Sequence, residues 1–369
     1  MKYPVFEPDF GEPEIEAVVA AMRRGEISGT FGRAISDFEE SFARYCGSNY
    51  GVAVSNGTVA LQLAVRVGGV GPGDEVLVSS CTNIASGLAV FYNNAVTVPV
   101  DSEDHTWNLD LDLLESLITP RTKAIVLVHL LGNPVDMTRL MAIANKHSLL
   151  VIEDCAEAHG AIWKGRKVGS FGHMNCFSFL SNKVITTGEG GMILTDDAEM
   201  ARQLKYLRSL AFGPVRFLHE EAGYNFRISS MQAAMGVVQV AKIESVIEQK
   251  IALYRRYKER LQHLEGIQFP VEPADGRHVH WMVGIRIRKE FGPTRDVLKD
   301  HLTKEGIDTR TLFCPMNQQP FLVGQEGYRN IPCPVADRIW EDGIYLPSTT
   351  ALTDSDLDFI CEKVATCGR

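Results

Sequence analysis

The sequence predicts an α/β protein of two parts: a large domain with a mostly parallel sheet, then a smaller α+β domain. Two observations predict it. Between Val52 and Leu194 short apolar strands alternate with helical stretches, the pattern of βαβ units and of a sheet covered on both faces. After Gly213 the alternation stops, and a long helical stretch from Ser229 to about Leu264 leads into a different pattern. The expected division assigns residues 1–240 to the large domain and 241–369 to the small one.

The elements follow in order. Pro13 to Met22 reads as a helix, with Pro in the first turn, acids Glu12, Glu14 and Glu16, and apolar Ile15, Val18, Val19 and Met22. Gly25 to Gly32 is a break. Asp37 to Tyr45 is a second helix, with Phe38, Phe42 and Tyr45 on one face. Strands are expected at Val52–Val54, Glu75–Ser79, Val96–Val100, Ala124–Val128 and from Leu149 to a Glu153-Asp154 end. Helices are expected after Ser55–Thr58 through Val65, and at Ile84–Tyr92, Asp110–Leu117 and Met137–His147. Strands at Asn175–Phe179 and Gly191–Leu194 and a helix at Ala198–Leu210 complete the large domain. Beyond the long helix, Met282 to Arg288 alternates as a half-exposed strand does, and helices are expected at Thr294–Lys304 and Asp354–Val364.

Composition bounds the function. A chain of 369 residues accommodates two domains, and 45% hydrophobic with 22% charged residues is the make-up of an ordinary globular protein. A net charge of -9 argues against a nucleic-acid surface, which needs a basic face. No apolar run reaches the roughly 18 residues of a membrane span, and the N-terminal residues carry no signal-peptide core. The eight cysteines are scattered without a C-x-x-C pair, so free thiols in a reducing cytoplasm are expected, with no zinc site and no disulfide framework.

Three stretches carry chemistry. Ser55-Asn-Gly-Thr58 lies between a strand and a helix, where free amides and the positive dipole end suit an anion; an ordinary helix cap is the other account. No P-loop or Rossmann glycine motif follows a strand, so nucleotide sites of those kinds are not expected. Glu153-Asp-Cys-Ala-Glu-Ala-His-Gly160 ends a strand, where parallel α/β sheets bind ligands, and Asp154 there can hold a protonated ring nitrogen or cap a helix. A metal site from Asp154, Glu157 and His159 is disfavoured, since no further His or Cys falls at ligand spacing. Lys183, in Cys176-Phe-Ser-Phe-Leu-Ser-Asn-Lys-Val-Ile-Thr-Thr-Gly-Glu-Gly-Gly191, is isolated from other basic residues, as a Schiff-base lysine is. Together these are the parts pyridoxal 5'-phosphate needs: a helix end for the phosphate, an acid for the pyridine nitrogen, a lysine for the aldehyde. Their order, with a small C-terminal domain after them, is that of the aspartate aminotransferase-like fold type I transferases.

These runs, with Gly71-Pro-Gly-Asp-Glu-Val76, Val168-Gly-Ser-Phe-Gly172 and Gly223-Tyr-Asn-Phe-Arg227, resemble the DegT/DnrJ/EryC1/StrS aminotransferases, over about residues 3 to 350. Within that family the chain is similar to members that aminate C4 of a GDP-linked 4-keto-6-deoxymannose. The resemblance implies a cytoplasmic enzyme that takes nitrogen from glutamate and delivers it to a nucleotide-linked ketosugar. It implies Lys183 as cofactor-bearing lysine and acid/base, Asp154 on the pyridine nitrogen, Glu157 at the ring hydroxyl, and Gly57, Thr58 and Ser178 on the phosphate. It places His159 near cofactor and sugar, with a buried structural histidine as the alternative. It also implies a homodimer, with Asn225 reaching the phosphate of the partner's site. Arg227 has two accounts, orienting an anion or structural. Many relatives carry an aromatic residue that stacks on the cofactor where this chain has Asn83. Relatives that dehydrate the sugar carry histidine at the lysine position, which Lys183 argues against; 3-amination and dTDP- or UDP-linked substrates stay open, and a non-catalytic paralogue is the reading from another class. Loops Gly25–Arg33, Phe212–Glu221 and Cys314–Tyr328 are where specificity is expected to lie.

Overall fold

The computed structural model describes residues 1–215 and 217–367. Arg216, inside one of the loops expected to set specificity, and Gly368 and Arg369, at the end of the expected small domain, lie outside the described residues.

Helices α1 (Glu12–Arg23) and α2 (Ala34–Cys46) open the chain. The Glu14 carboxylate accepts the Gly11 amide at 2.8 Å, which fixes the start of α1, and Gly47 at φ 83° ends α2 in the left-handed region. The alternation then runs β1 (Tyr50–Val54), α3 (Gly57–Val67), β2 (Glu75–Ser79), α4 (Ala85–Phe91), β3 (Val96–Val100), α5 (Leu111–Leu117), β4 (Thr122–Val128), α6 (Met137–Lys146) and β5 (Leu150–Asp154). A short ribbon, β6 (Ile162–Trp163) and β7 (Arg166–Lys167), precedes β8 (Met174–Ser178), β9 (Gly191–Thr195) and α7 (Ala198–Arg208).

The large sheet has seven strands in the order β1-β9-β8-β5-β4-β2-β3. Strand β9 runs antiparallel to both neighbours, and the other pairings are parallel. Side chains alternate between two cores. Val76 and Val78, Ala124 and Val126, and Ile152 pack with α3, α4 and α7 on one face. Leu77, Ile125, Leu127 and Val151 pack with α5 and α6 on the other. Both faces of the central strands are buried, which is why they read as unbroken apolar runs.

Helix α8 (Ser230–Leu261) spans 32 residues, about 48 Å at helical rise. Ser229 and Gln232 form a reciprocal capping box at its start. Its first half buries Ala233, Ile243 and Ile247 against Phe38 and Phe42 in a core of the large sheet. Its second half buries Leu253, Tyr254, Tyr257 and Leu261 in a separate core. The expected division after residue 240 falls within this helix.

Beyond it lie β10 (Ile267–Gln268), β11 (Gly276–Arg277), β12 (Val283–Ile287), α9 (Arg295–Lys304), β13 (Arg310–Thr311), α10 (Pro334–Asp342), β14 (Gly343–Leu346) and α11 (Asp354–Ala365). Four of these strands form an antiparallel sheet, β10-β12-β14-β13, while β11 joins the β6–β7 ribbon. The sequence reading assigned no element to α10 or β14. Strand β14 is only four residues long and follows α10 without a loop, so no turn signal separates the two.

Candidate active site

Strands β4, β5 and β8 run parallel and end at one edge of the sheet. Their terminal residues Val128, Asp154 and Ser178 open into a cavity of about 400 Å³ with the start of α3. Gly57, Thr58, Asn83, Glu157 and Lys183 complete its polar lining. The carboxyl edge of a parallel sheet is where the loops diverge and a ligand fits.

One end of the cavity suits an anion. Asn56 caps α3, its Oδ1 accepting the Val59 amide at 3.0 Å. The amides of Gly57 and Thr58, in the first turn, find no acceptor among the described residues. They sit at the positive end of the helix dipole, across from the Ser178 hydroxyl. A Cβ at position 57 would lie 2.8 Å from Ser178 Cβ, so glycine is what lets helix and strand close into a cradle. The cap thus uses the Val59 amide and leaves those of Gly57 and Thr58 facing the cavity.

The other end holds acids. Asp154 is buried, its Oδ2 accepting the Ser86 hydroxyl at 2.7 Å and its Oδ1 the Ala156 amide at 3.1 Å. Burial pushes its pKa up, and these donors with Lys183 offset only part of that. Glu157 accepts the Leu131 amide at 2.7 Å. That amide is presented by a 3-10 turn in which Leu131 takes φ 54° and Gly132 φ 89°. Burial pushes the Glu157 carboxyl up to about 7, against the opposing pull of Lys183 and the Leu131 amide. Such a group changes charge near neutral pH.

Lys183 follows the turn after β8, its amide donating to Leu180 O at 3.0 Å. Its Nζ lies 4.1 Å from the centroid of the Trp281 ring. Close packing lowers its pKa, and the charges of Glu157 and Asp154 act the other way. A neutral amine is thereby easier to reach than on a solvated lysine.

The remaining expected residues are placed differently. Asn83 lines the cavity, but its Oδ1 accepts the Ala85 amide at 3.0 Å and so caps the first turn of α4. His159 is fully buried behind the wall, its ring within 6.1 Å of the rings of Phe42, Phe177 and Phe179. Neither ring nitrogen has a hydrogen-bond partner among the described residues; the Ser178 backbone lies alongside, outside bonding geometry. Burial, reinforced by Lys183, pushes its pKa down to about 3. Asn225 is exposed, in a bridge with Ser209 away from the cavity lining, one residue before the Phe226 carbonyl that accepts the Ser55 amide at 2.8 Å.

Glu153, His129 and Cys155 form a compact buried group on the other side of β5. Glu153 accepts His129 Nε2 and the amides of Gly169, Phe171 and Gly172. His129 Nδ1 accepts the Val135 amide, so its Nε2 carries the proton given to Glu153. Ser86, Trp281 and Leu131 touch the site residues without having been singled out in the sequence. Only the fold brings them there: Trp281 lies 98 residues from Lys183 along the chain and Ser86 68 from Asp154, and neither stands in a recognisable motif.

Comparison with known proteins fits this geometry. The chain is 41% identical over 359 residues to the GDP-perosamine synthase of Caulobacter vibrioides, covering 96% of this chain and 95% of that protein. It is 39% identical over 310 residues to the dTDP-3-amino-3,4,6-trideoxy-alpha-D-glucose transaminase of Streptomyces venezuelae, covering 83% and 80%. The solved PLP-form of the putative sugar aminotransferase Spr1654 from Streptococcus pneumoniae superposes with a TM-score of 0.91 at 28% identity, covering 99% of this chain and 98% of that one. The model of the DegT/DnrJ/EryC1/StrS aminotransferase family matches residues 8–365, so nearly the whole of both domains is accounted for, and the chain belongs to that family.

Proposed function

We propose that the protein is a pyridoxal-phosphate-dependent transaminase. It moves an amino group from glutamate to the C4 keto group of a nucleotide-linked 4-keto-6-deoxy sugar, GDP-4-keto-6-deoxymannose, giving GDP-perosamine. One observation carries the reading: a single cavity holds an unspent helix N-terminus at one end and a buried carboxylate at the other, with an activated lysine between. The unbonded Gly57 and Thr58 amides and the Ser178 hydroxyl fit a phosphate, and Asp154 fits a protonated ring nitrogen. The GDP-perosamine synthase relative supports the substrate.

The cofactor, when bound, supplies the electron sink that lets a proton leave carbon. The chain supplies the rest. Gly57, Thr58 and Ser178 hold the phosphate. Asp154, aimed by Ser86 and Ala156, holds a proton on the ring nitrogen. Glu157 shares a hydrogen bond with the ring hydroxyl, its near-neutral pKa letting it donate or accept. Lys183 moves one proton between two carbons as general base, then acid. With glutamate it moves the proton one way; with the ketosugar it moves it back. The residues of the site thus serve both half-reactions of a ping-pong exchange.

The test is optical and chemical. The full-length protein is expected to be yellow, and to bleach when glutamate is added. Lys183→Ala is expected to abolish both the bleaching and turnover; a Lys183→Ala protein that still aminates ketosugar sinks the reading. Incubation with GDP-, dTDP- and UDP-linked 4-keto-6-deoxy sugars, read by product mass and by the position of the new nitrogen, decides the nucleotide and separates C4 from C3 amination.

The same reading includes a homodimer whose partner supplies Asn225. Asn225 is exposed, on a segment tied to the Ser55–Thr58 loop through Phe226 and Ser55, and the exposed apolar residues Tyr92 and Leu180 line the cavity that this loop borders. Mixing Lys183→Ala and Asn225→Ala subunits decides it. A shared site leaves one intact site per hybrid dimer and restores activity; a site within one subunit restores none.

A further inference from the structure

Trp281 meets Lys183 from a direction none of the roles above explains. The indole is 2% exposed and presents its face to Lys183 Nζ at 4.1 Å, within the range of a cation–π contact. It is fixed on every side. Its Nε1 donates to the Asn182 carbonyl at 2.6 Å, the peptide just before Lys183. Its amide donates to the Leu131 carbonyl at 3.0 Å, and the Leu131 amide in turn holds Glu157. Its own carbonyl accepts Lys250 Nζ at 3.0 Å. Lys250 is a buried lysine of α8 that also donates to the Ser348 carbonyl at 3.1 Å and has no carboxylate partner among the described residues.

A buried ammonium without a counter-ion is retained where its donors are needed, and here they tie Trp281 to the segment that follows β14, at Ser348. The ring is therefore a rigid floor whose position follows from Asn182, Leu131 and Lys250 together. Lys183 must be an amine free to attack a carbonyl, and between attacks it must return to one place.

We propose that Trp281 is a positioning residue for Lys183: its indole face docks the protonated amine, setting where the lysine rests and how tightly it keeps its proton. The proposal rests on the transaminase reading. The titratable groups around Lys183 are Asp154 at the end of β5, Glu157 and His159 in the loop after it, Glu189 in the glycine loop before β9, and Glu7, Asp9 and the Lys250 cation, which share a small cavity with Lys183. His159 is neutral across the working range, and Glu157 and Asp154 favour the ammonium as the ring does. The ring adds a share that depends on its π face alone.

The experiment uses the full-length chain freed of cofactor and pyridoxal phosphate as probe. The neutral Lys183 amine adds to the probe's aldehyde and one water leaves, so the rate of colour development against pH reports the proton affinity of Lys183. Without the indole face the ammonium is less favoured, so the midpoint falls. The expected fall is about one pH unit for Trp281→Leu and about half that for Trp281→Phe, whose smaller ring is a weaker cation host. A merely structural role for Trp281 changes the melting temperature and leaves the midpoint in place, and an unmoved midpoint in Trp281→Phe overturns the proposal even where Trp281→Leu does not fold. If the unaltered protein forms no borohydride-fixed adduct at Lys183, the transaminase reading fails instead, a different result on the same instrument.

Discussion

At the end of β5 two adjacent carboxylates meet opposite surroundings on opposite faces of the sheet. Glu153 takes four N–H donors, His129 Nε2 and the amides of Gly169, Phe171 and Gly172, with the Cys155 thiol a weaker fifth at 4.0 Å. Asp154 takes two, the Ser86 hydroxyl and the Ala156 amide. A carboxylate offers about four lone-pair sites, so Glu153 is saturated and Asp154 keeps capacity for a further donor. Burial alone would push Glu153 up, but its donors outweigh it and hold the pKa below the ordinary glutamate value. For Asp154 burial wins and the pKa rises. The difference teaches that burial does not mark a functional acid; unspent acceptor capacity facing a cavity does. Glu153 clamps the loop at residues 169–172 from behind, and Asp154 is held ready in front.

The largest way to sharpen this contrast is Asp154→Asn. The amide cannot hold a proton on a cofactor nitrogen, and kcat is expected to fall about 10³-fold, the scale of losing one charged group aimed at a reaction centre. Stability is expected to move the other way. A carboxyl whose native pKa is raised costs stability in full where both states are ionised; the cost fades as pH falls through the raised native pKa and is gone below the unfolded value of 3.8. Asp154→Asn is therefore expected to melt at or above the unaltered temperature at pH 7, with the advantage shrinking in acid. A variant that loses activity only because it has unfolded would erase the proposed contrast.

Glu153→Gln tests the other side. The side-chain amide must turn an N–H toward backbone amides or toward His129 Nε2, all of them donors, and about 3 kcal/mol of stability is expected to be lost. The sign with pH is opposite. Stability from a lowered carboxyl pKa is complete above the ordinary value of 4.5 and disappears as pH falls through the native one, so the gap between Glu153→Gln and the parent closes on acidification. Chemical denaturation at pH 7 and at pH 4 measures both gaps; parallel curves for the two variants would show that the carboxylates do not differ as described.

Much of this was legible in the sequence, for identifiable reasons. The parallel core read clearly because both faces of its central strands are apolar, and the runs at Glu75–Ser79 and Val96–Val100 coincide with β2 and β3. The gathering of Gly57, Asp154, Glu157 and Lys183 was foreseen because they stand at the start of α3, at the end of β5 or in the loops just after β5 and β8, and topology brings these to one edge. Identity of residue type did not tell Glu153 from Asp154, because alternation gives opposite faces but not the donors each face will meet. Trp281 and Ser86 were silent for the same reason: their contacts cross 98 and 68 residues of chain. Asn83 was expected from relatives as a gap in cofactor stacking, and its side chain is occupied in capping α4, a local use that follows from Asn two residues ahead of an amide.

The smallest effect tests the donor count itself. Ser86 gives Asp154 one of its two hydrogen bonds, at 2.7 Å, and Thr82 Oγ1 stands 3.3 Å behind Ser86 Oγ. Ser86→Ala removes a neutral donor to a buried carboxylate, a change of about 1–2 kcal/mol, or roughly tenfold in kcat. With one fewer donor the Asp154 pKa rises further, so the acidic limb of the kcat profile is expected to shift to higher pH, while Ser86→Thr, which keeps the hydroxyl, holds it in place. Taking one donor of four from Glu153 has no such outlet, because nothing on that face waits to bind. If Ser86→Ala moves the melting temperature and not the acidic limb, then Ser86 supports packing as the donors of Glu153 do, and readiness of Asp154 for a ligand must come from the cavity alone.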